Sequence, residues 1–239
     1  MKKVLILVIC LIWVQLSWAQ AFRIGFNAGY GTYAMKSMKN FQQALVLSSH
    51  FEGLRQTQSF PGFINYGLLA DIRFNNQFTF GIKADYLMTG GRNHVGDYSG
   101  EYYENLRLQA YGLGLVLGKE LYDYGKLRFY ASLKGTLLMS FFKFEQRINL
   151  YQSIDSHSQN DYLSLSLAVE PSAGIRYPLG KKGNLDFNLG YEKCTRSKLI
   201  PIPKIDGDLS PSLDLLEVDW TGLRVSLGLF LTLFDADAE

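Results

Sequence analysis

Residues Tyr162 to Pro178 read Tyr-Leu-Ser-Leu-Ser-Leu-Ala-Val-Glu-Pro-Ser-Ala-Gly-Ile-Arg-Tyr-Pro, and this stretch decides the fold. Leu163, Leu165, Leu167, Val169, Pro171, Ala173, Ile175 and Tyr177 fall on one face at a period of two, with Ser164, Ser166, Ala168, Glu170, Ser172, Gly174 and Arg176 on the other. Successive side chains of an extended chain point to opposite faces, so strict alternation means a strand. An ordinary strand runs about 5–6 residues, whereas one crossing a bilayer at a tilt needs about 9–11. A long apolar face backed by small polar groups, a Glu and an Arg is the pattern of a strand with lipid outside and a polar lumen inside. Pro171 lacks an amide hydrogen and a closed barrel has no free edge, so a bulge or local distortion is expected there.

The same rhythm recurs along the chain. Phe22, Ile24, Phe26, Ala28 and Tyr30 oppose Arg23, Gly25, Asn27 and Gly29. Ile64 to Phe74 alternate with Asn65, Gly67, Leu69, Asp71 and Arg73, and Phe78 to Met88 alternate with Thr79, Gly81, Lys83 and Asp85. In the segment from Tyr102 to Gly118, Leu106, Leu108, Ala110, Gly112, Gly114 and Val116 are read as outward, with Arg107, Gln109 and Tyr111 inward. Leu113, Leu115 and Leu117 blur that segment. Leu127 to Phe141 alternate cleanly with Arg128, Tyr130, Ser132, Lys134, Thr136, Leu138 and Ser140. Leu185 to Tyr191 oppose Asp186, Asn188, Gly190 and Glu192, and Leu223 to Leu233 oppose Arg224, Ser226 and Gly228.

With the opening stretch this makes eight strands. The connections alternate long and short: Met35–Phe60, Asn75–Gln77, Thr89–Glu101, Glu120–Gly125, Glu145–Asp161, Leu179–Asn184 and Cys194–Glu217. An even strand number with short periplasmic turns and longer external loops describes an all-β, up-and-down antiparallel transmembrane barrel. The first long loop has two readings. It holds a short helix capped by Ser37, on the spacing of Phe41, Ala44, Leu45, Phe51 and Leu54, or it is a loop packing those groups over the barrel mouth.

Lys2 and Lys3, the apolar run Val4 to Val14, and Ser17-Trp18-Ala19 read as a secretory signal cut after Ala19, leaving residues 20–239 as one barrel domain. The apolar run is too short for a spanning helix, which needs about 20 residues. Removing the two lysines takes 24 basic residues to 22, equal to the 22 acidic ones. A neutral mature chain gives no reason to expect nucleic acid. Cys194 is then the only cysteine, so no internal disulfide forms.

No motif calls for an enzyme or a cofactor. Gly112-Leu-Gly114 has neither the spacing nor the following helix of a dinucleotide loop. Asp206, Asp208, Asp214, Glu217 and Asp219 form an acidic stretch without a calcium-loop register, so no metal site is assigned. His50, His94 and His157 fall in external loops, and Asp155-Ser156-His157 are neighbours, whereas a catalytic triad needs groups converging from separate segments. The inward charges carry more weight. Arg23, Asp71, Arg73, Lys83, Asp85, Arg107, Arg128, Lys134, Glu170, Arg176, Asp186, Glu192 and Arg224 face one another across a lumen that side chains of eight strands just fill. Charges there must pair or be hydrated, and the expected result is an ion-pair plug, with a selective lining for a narrow solute channel as the alternative.

The Ala19-Gln20 junction, the opening strand with Gly29-Tyr30-Gly31 and the eight-strand rhythm resemble the outer-membrane β-barrel domain family of Bacteroidota, which includes PorT-like proteins. OmpA- and OmpX-type barrels are similar in architecture. The resemblance implies an outer-membrane location with outer-membrane lipid around the wall and, for PorT-like members, an accessory role in secretion. It supplies no catalytic residue. The expected role is structural, or assembly and binding of a protein partner through the external loops.

Overall fold

A sheet that is apolar along one side and edgeless can be completed only by closing on itself. The computed structural model describes residues 21–49, 51–74, 77–98, 100–150, 154–202 and 216–235, so the signal segment 1–19, His50, and Asp206, Asp208 and Asp214 lie outside the described residues. In chain order the elements are β1 (Ala21–Gly31), α1 (Lys36–Ser48), β2 (Arg55–Ser59), β3 (Phe63–Phe74), β4 (Phe78–Asp97), β5 (Gly100–Tyr124), β6 (Leu127–Leu150), β7 (Ile154–Leu179) and β8 (Gly183–Cys194). Three two-residue bridges follow, β9 (Ser197–Lys198), β10 (Ile200–Pro201) and β11 (Glu217–Val218), and then β12 (Gly222–Asp235). Strands β1, β3, β4, β5, β6, β7, β8 and β12 pair antiparallel in that order, and β12 returns to β1. The expected eight-stranded up-and-down barrel is the fold.

The wall is uneven. β4 to β7 run on as two tall hairpins far past the tops of β1, β3, β8 and β12. The stretches Thr89–Glu101 and Glu145–Asp161, expected as loops, are paired strand for nearly their whole length. Helix α1 forms and also packs over the mouth, so the two readings of the first loop are both partly right. Its N-cap is Met35 in a left-handed conformation, not Ser37, whose hydroxyl accepts the Glu217 amide at 3.1 Å. Met38 and Gln42 are its buried positions.

Pro171 produces no bulge. Its pairing to Leu133 is in continuous register, while the ladder toward β8 lapses at Glu170–Pro171 and resumes unshifted at Ser172. A missing donor is tolerated by skipping pairs rather than by inserting a residue.

On β5 the expected sidedness is inverted. Tyr111, Leu113, Leu115 and Leu117 face outward, whereas Leu106, Leu108 and Ala110 are buried inside. Both faces of this strand are apolar, because its upper half contributes to a core within the barrel. Gly112 and Gly114 turn inward, where an added Cβ would meet Thr136 on β6.

The outward face is apolar between two aromatic levels. Tyr86, Tyr111 and Phe141 form one contiguous edge at the tall end, with ring centroids 5.3 and 6.1 Å apart. Tyr30 and Tyr191 extend it around the wall. Phe78, Tyr177 and Phe234 face outward nearer the end that carries the short turns. Two further tyrosines do not belong to this level: Tyr162 turns inward and is buried, and Tyr103 stands higher, beneath the Arg92 guanidinium. Rings of this kind mark the headgroup levels of a bilayer. Leu133→Lys should therefore cost about 2–4 kcal/mol in unfolding from lipid vesicles, while Ser132→Lys, on the lumen face, should cost less. Equal losses would contradict the assigned faces.

A candidate functional site in the sealed lumen and its outer cover

Alternation brings inward charges of all eight barrel strands into a narrow tube, and most of them pair. Lys134 of β6 stands at the centre, its Nζ 2.6 Å from Glu170, 3.1 Å from Asp85 and 3.4 Å from Glu192. Lys83 adds a second cation to Asp85 at 3.1 Å. Toward the short-turn end, Arg23 makes a two-pronged contact with Asp71 at 2.8 and 2.7 Å, and Arg176 does the same with Asp186. Toward the tall end, the Arg224 guanidinium donates to Glu192 at 2.8 Å and to the Thr32 and Trp220 carbonyls at 2.7 Å each. Arg224 also lies 4.8 Å over the Tyr33 ring, and Arg176 5.1 Å over Tyr130. Planar guanidinium groups suit this combination of forked pairing and stacking.

Three of the expected lumen residues need separate comment. Arg107 is not in the lumen; it lies on the exposed outward face, a consequence of the inverted β5. Arg128 sits on the inward face but at the rim of the short-turn end, 3.8 Å from Glu120. Arg73 is placed on the inward face of β3. Alternation places Glu120 at the start of a short turn, yet β5 continues through a bulge at Glu120/Tyr122 and aims it at Arg176, 2.6 Å away. Beside the network is a polar cavity of about 70 Å³ bordered by Asn27, Ser132, Lys134 and Asn188. The Asn27 and Asn188 side-chain oxygens have no hydrogen-bond partner among the described residues, and the space suits a few water molecules.

Above the charges the lumen becomes apolar. Leu87, Leu106, Leu108, Leu138, Phe142 and Tyr162 line the wall, and Met35, Met38 and Phe60 fill it from above. Trp220 sits fully buried among them, edge-on to Tyr33 at 4.9 Å, its indole N–H donating to Ser140 Oγ at 2.9 Å. This cover was missed because Trp220 reads as the start of a strand. Met35, Met38 and Phe60 lie in a connection whose packing no periodicity reveals.

Under α1 a polar chain ties the helix to the tall hairpins. Gln42 donates to Asn93 at 2.9 Å and Asn93 to Glu104 at 2.7 Å, and Tyr102 donates to Glu104 at 2.7 Å. Burial, and then the Glu104 carboxylate accepting its proton, hold the Tyr102 phenol well above its usual range. The histidines stand outside, His94 beside Glu101 at 3.0 Å and His157 beside Glu145 at 3.1 Å. Ser156 and His157 are successive on a strand and face opposite sides. Asp219 pairs with Arg196 at 3.5 Å.

No family model matches the chain, and no curated protein does either. Solved structures with a similar arrangement of strands do exist. Neisserial surface protein A is 13% identical over 89% of this chain and 97% of that one, with a TM-score of 0.43. OprG from Pseudomonas aeruginosa is 12% identical over 90% and 97%, with a TM-score of 0.47. Ail of Yersinia pestis is 12% identical over 89% and 98%, with a TM-score of 0.35. The likeness is one of outer-membrane β-barrel fold.

Proposed function

We propose that this protein is a non-conducting outer-membrane barrel, carried there by a signal cut after Ala19, that acts through its outer face as an assembly or partner-binding component. One observation carries the reading: two different closures lie in series along the lumen, the Lys134 ion-pair layer and the apolar core around Trp220. A solute path would have to dissolve a set of buried pairs and displace a close-packed core, each of which costs several kcal/mol.

The outer surface favours contact with a partner. Leu47 on α1 is 79% exposed, Ile200 62% and Tyr98, at a hairpin tip, 95%. A secretion-accessory role, as the resemblance to PorT-like proteins implies, is one form such a component takes. Purified protein in planar lipid bilayers is expected to give no reproducible conductance steps. Steady steps of one size would overturn the closed reading in favour of a narrow channel.

A further inference from the structure

Arg107 leaves the lumen and joins two other cations on the outward face. Register places Arg107 directly opposite Lys143, and Arg92 lies one step up on the neighbouring strand, paired to Asn105. Like charges directly opposed across an antiparallel pair repel. Neither Arg107 nor Lys143 has an ion-pair partner among the described residues. The nearby carboxylates are engaged elsewhere: Glu145 holds His157 at 3.1 Å, and Asp161, opposite Lys143, accepts from Gln159 at 2.9 Å. On its other side Arg107 faces Gly90, which has no side chain.

The three cations border a groove of about 570 Å³ whose lining also includes Met88, Gly90 and Glu145. Its level matters. Met88, Gln109 and Phe141 are the next outward residues below, and Tyr86, to which Gln109 donates, and Tyr111 follow. The groove therefore opens where the apolar band ends and the headgroup layer of the outer leaflet begins. We propose that Arg92, Arg107 and Lys143 form a binding site for the net-anionic, phosphate-bearing headgroup of an outer-leaflet lipid, whose acyl chains run down over Met88 and Phe141. Guanidinium forks and an ammonium are the donors that phosphate oxygens accept best, and a phosphate relieves the Arg107–Lys143 repulsion. The inference rests on the membrane reading of the barrel.

The test compares the purified, detergent-solubilised protein with the double variant Arg107→Gln/Lys143→Gln, using Lys193→Gln, an exposed cation on β8, as the control. Phosphatidic acid, phosphatidylcholine of the same chains and inorganic phosphate are added in turn, and lipid adducts are counted by native mass spectrometry. Phosphatidic acid is expected to bind the parent chain and the Lys193→Gln variant at least about 10-fold tighter than the double variant, the loss of two charge-assisted contacts at over 1 kcal/mol. Equal binding of phosphatidylcholine, equal loss in the Lys193→Gln variant, or full competition by inorganic phosphate at matched concentration would overturn the site. Flotation with lipid vesicles checks the premise separately: a chain that inserts but shows no headgroup preference refutes the site alone, whereas one that fails to insert refutes the membrane reading as well.

Discussion

Replacing Lys134 with Met is expected to cost the barrel about 3–5 kcal/mol, measured as urea unfolding from lipid vesicles. The reason is arithmetic in the charges around one ammonium. Asp85 keeps Lys83 and Glu192 keeps Arg224 when Lys134 is removed, but among the described residues Glu170 has a single ion pair, the 2.6 Å contact to Lys134. Glu170 is 7% exposed, so the substitution strands a carboxylate in a site with little water. Adding Glu170→Gln to Lys134→Met should then recover most of the loss, because the stranded charge goes with its partner. Lys83→Met should cost less than Lys134→Met, since Asp85 retains Lys134 at 3.1 Å. Equal losses for the two lysines, or no recovery in the double variant, would place the centre of the network elsewhere.

Most of this network was legible before the structure. A period of two assigns sidedness without ambiguity wherever one face is apolar and the other polar, and Arg23, Asp71, Lys134, Glu170, Arg176, Asp186 and Arg224 all fall on such strands. The reading failed where that contrast vanishes. On β5 the choice between Leu106–Val116 and Tyr111–Leu117 compares two apolar faces, and the strand carries lipid contacts below and an internal core above. Arg107 was carried to the wrong side with its neighbours.

The tall hairpins were hidden for a related reason. Above the apolar band the outward face of β4 to β7 becomes polar, with Arg92, Arg107, Lys143 and Gln159, while the inward face stays mixed, so polarity alone suggests loop. Glu120 escaped because a bulge extends its strand past the expected turn. Those misreadings share one cause. The lumen of this barrel is not uniform: it is an ion-paired tube at one end and a hydrophobic core at the other, and only the first has a signature in local alternation.

Trp220→Ala is expected to open the second closure without opening the barrel. Truncating a fully buried tryptophan costs about 3–5 kcal/mol, and here it also frees the Ser140 hydroxyl and leaves a void against Tyr33. Cys194 supplies a native reporter. It is a free thiol, 4% exposed, in the same buried cluster as Trp220, and its backbone N–H donates to the Thr221 hydroxyl oxygen at 3.1 Å. In the parent protein, folded in vesicles, a water-soluble maleimide added outside should leave Cys194 unmodified. In the Trp220→Ala variant the same reagent should label it, while planar-bilayer recordings stay silent because Lys134 and its three carboxylates still fill the tube below. Labelling without conductance separates the two closures. Conductance in this single variant would mean that the charged layer is permeable and that the core around Trp220 alone seals the lumen, while an unreactive Cys194 would mean that the cover does not depend on Trp220.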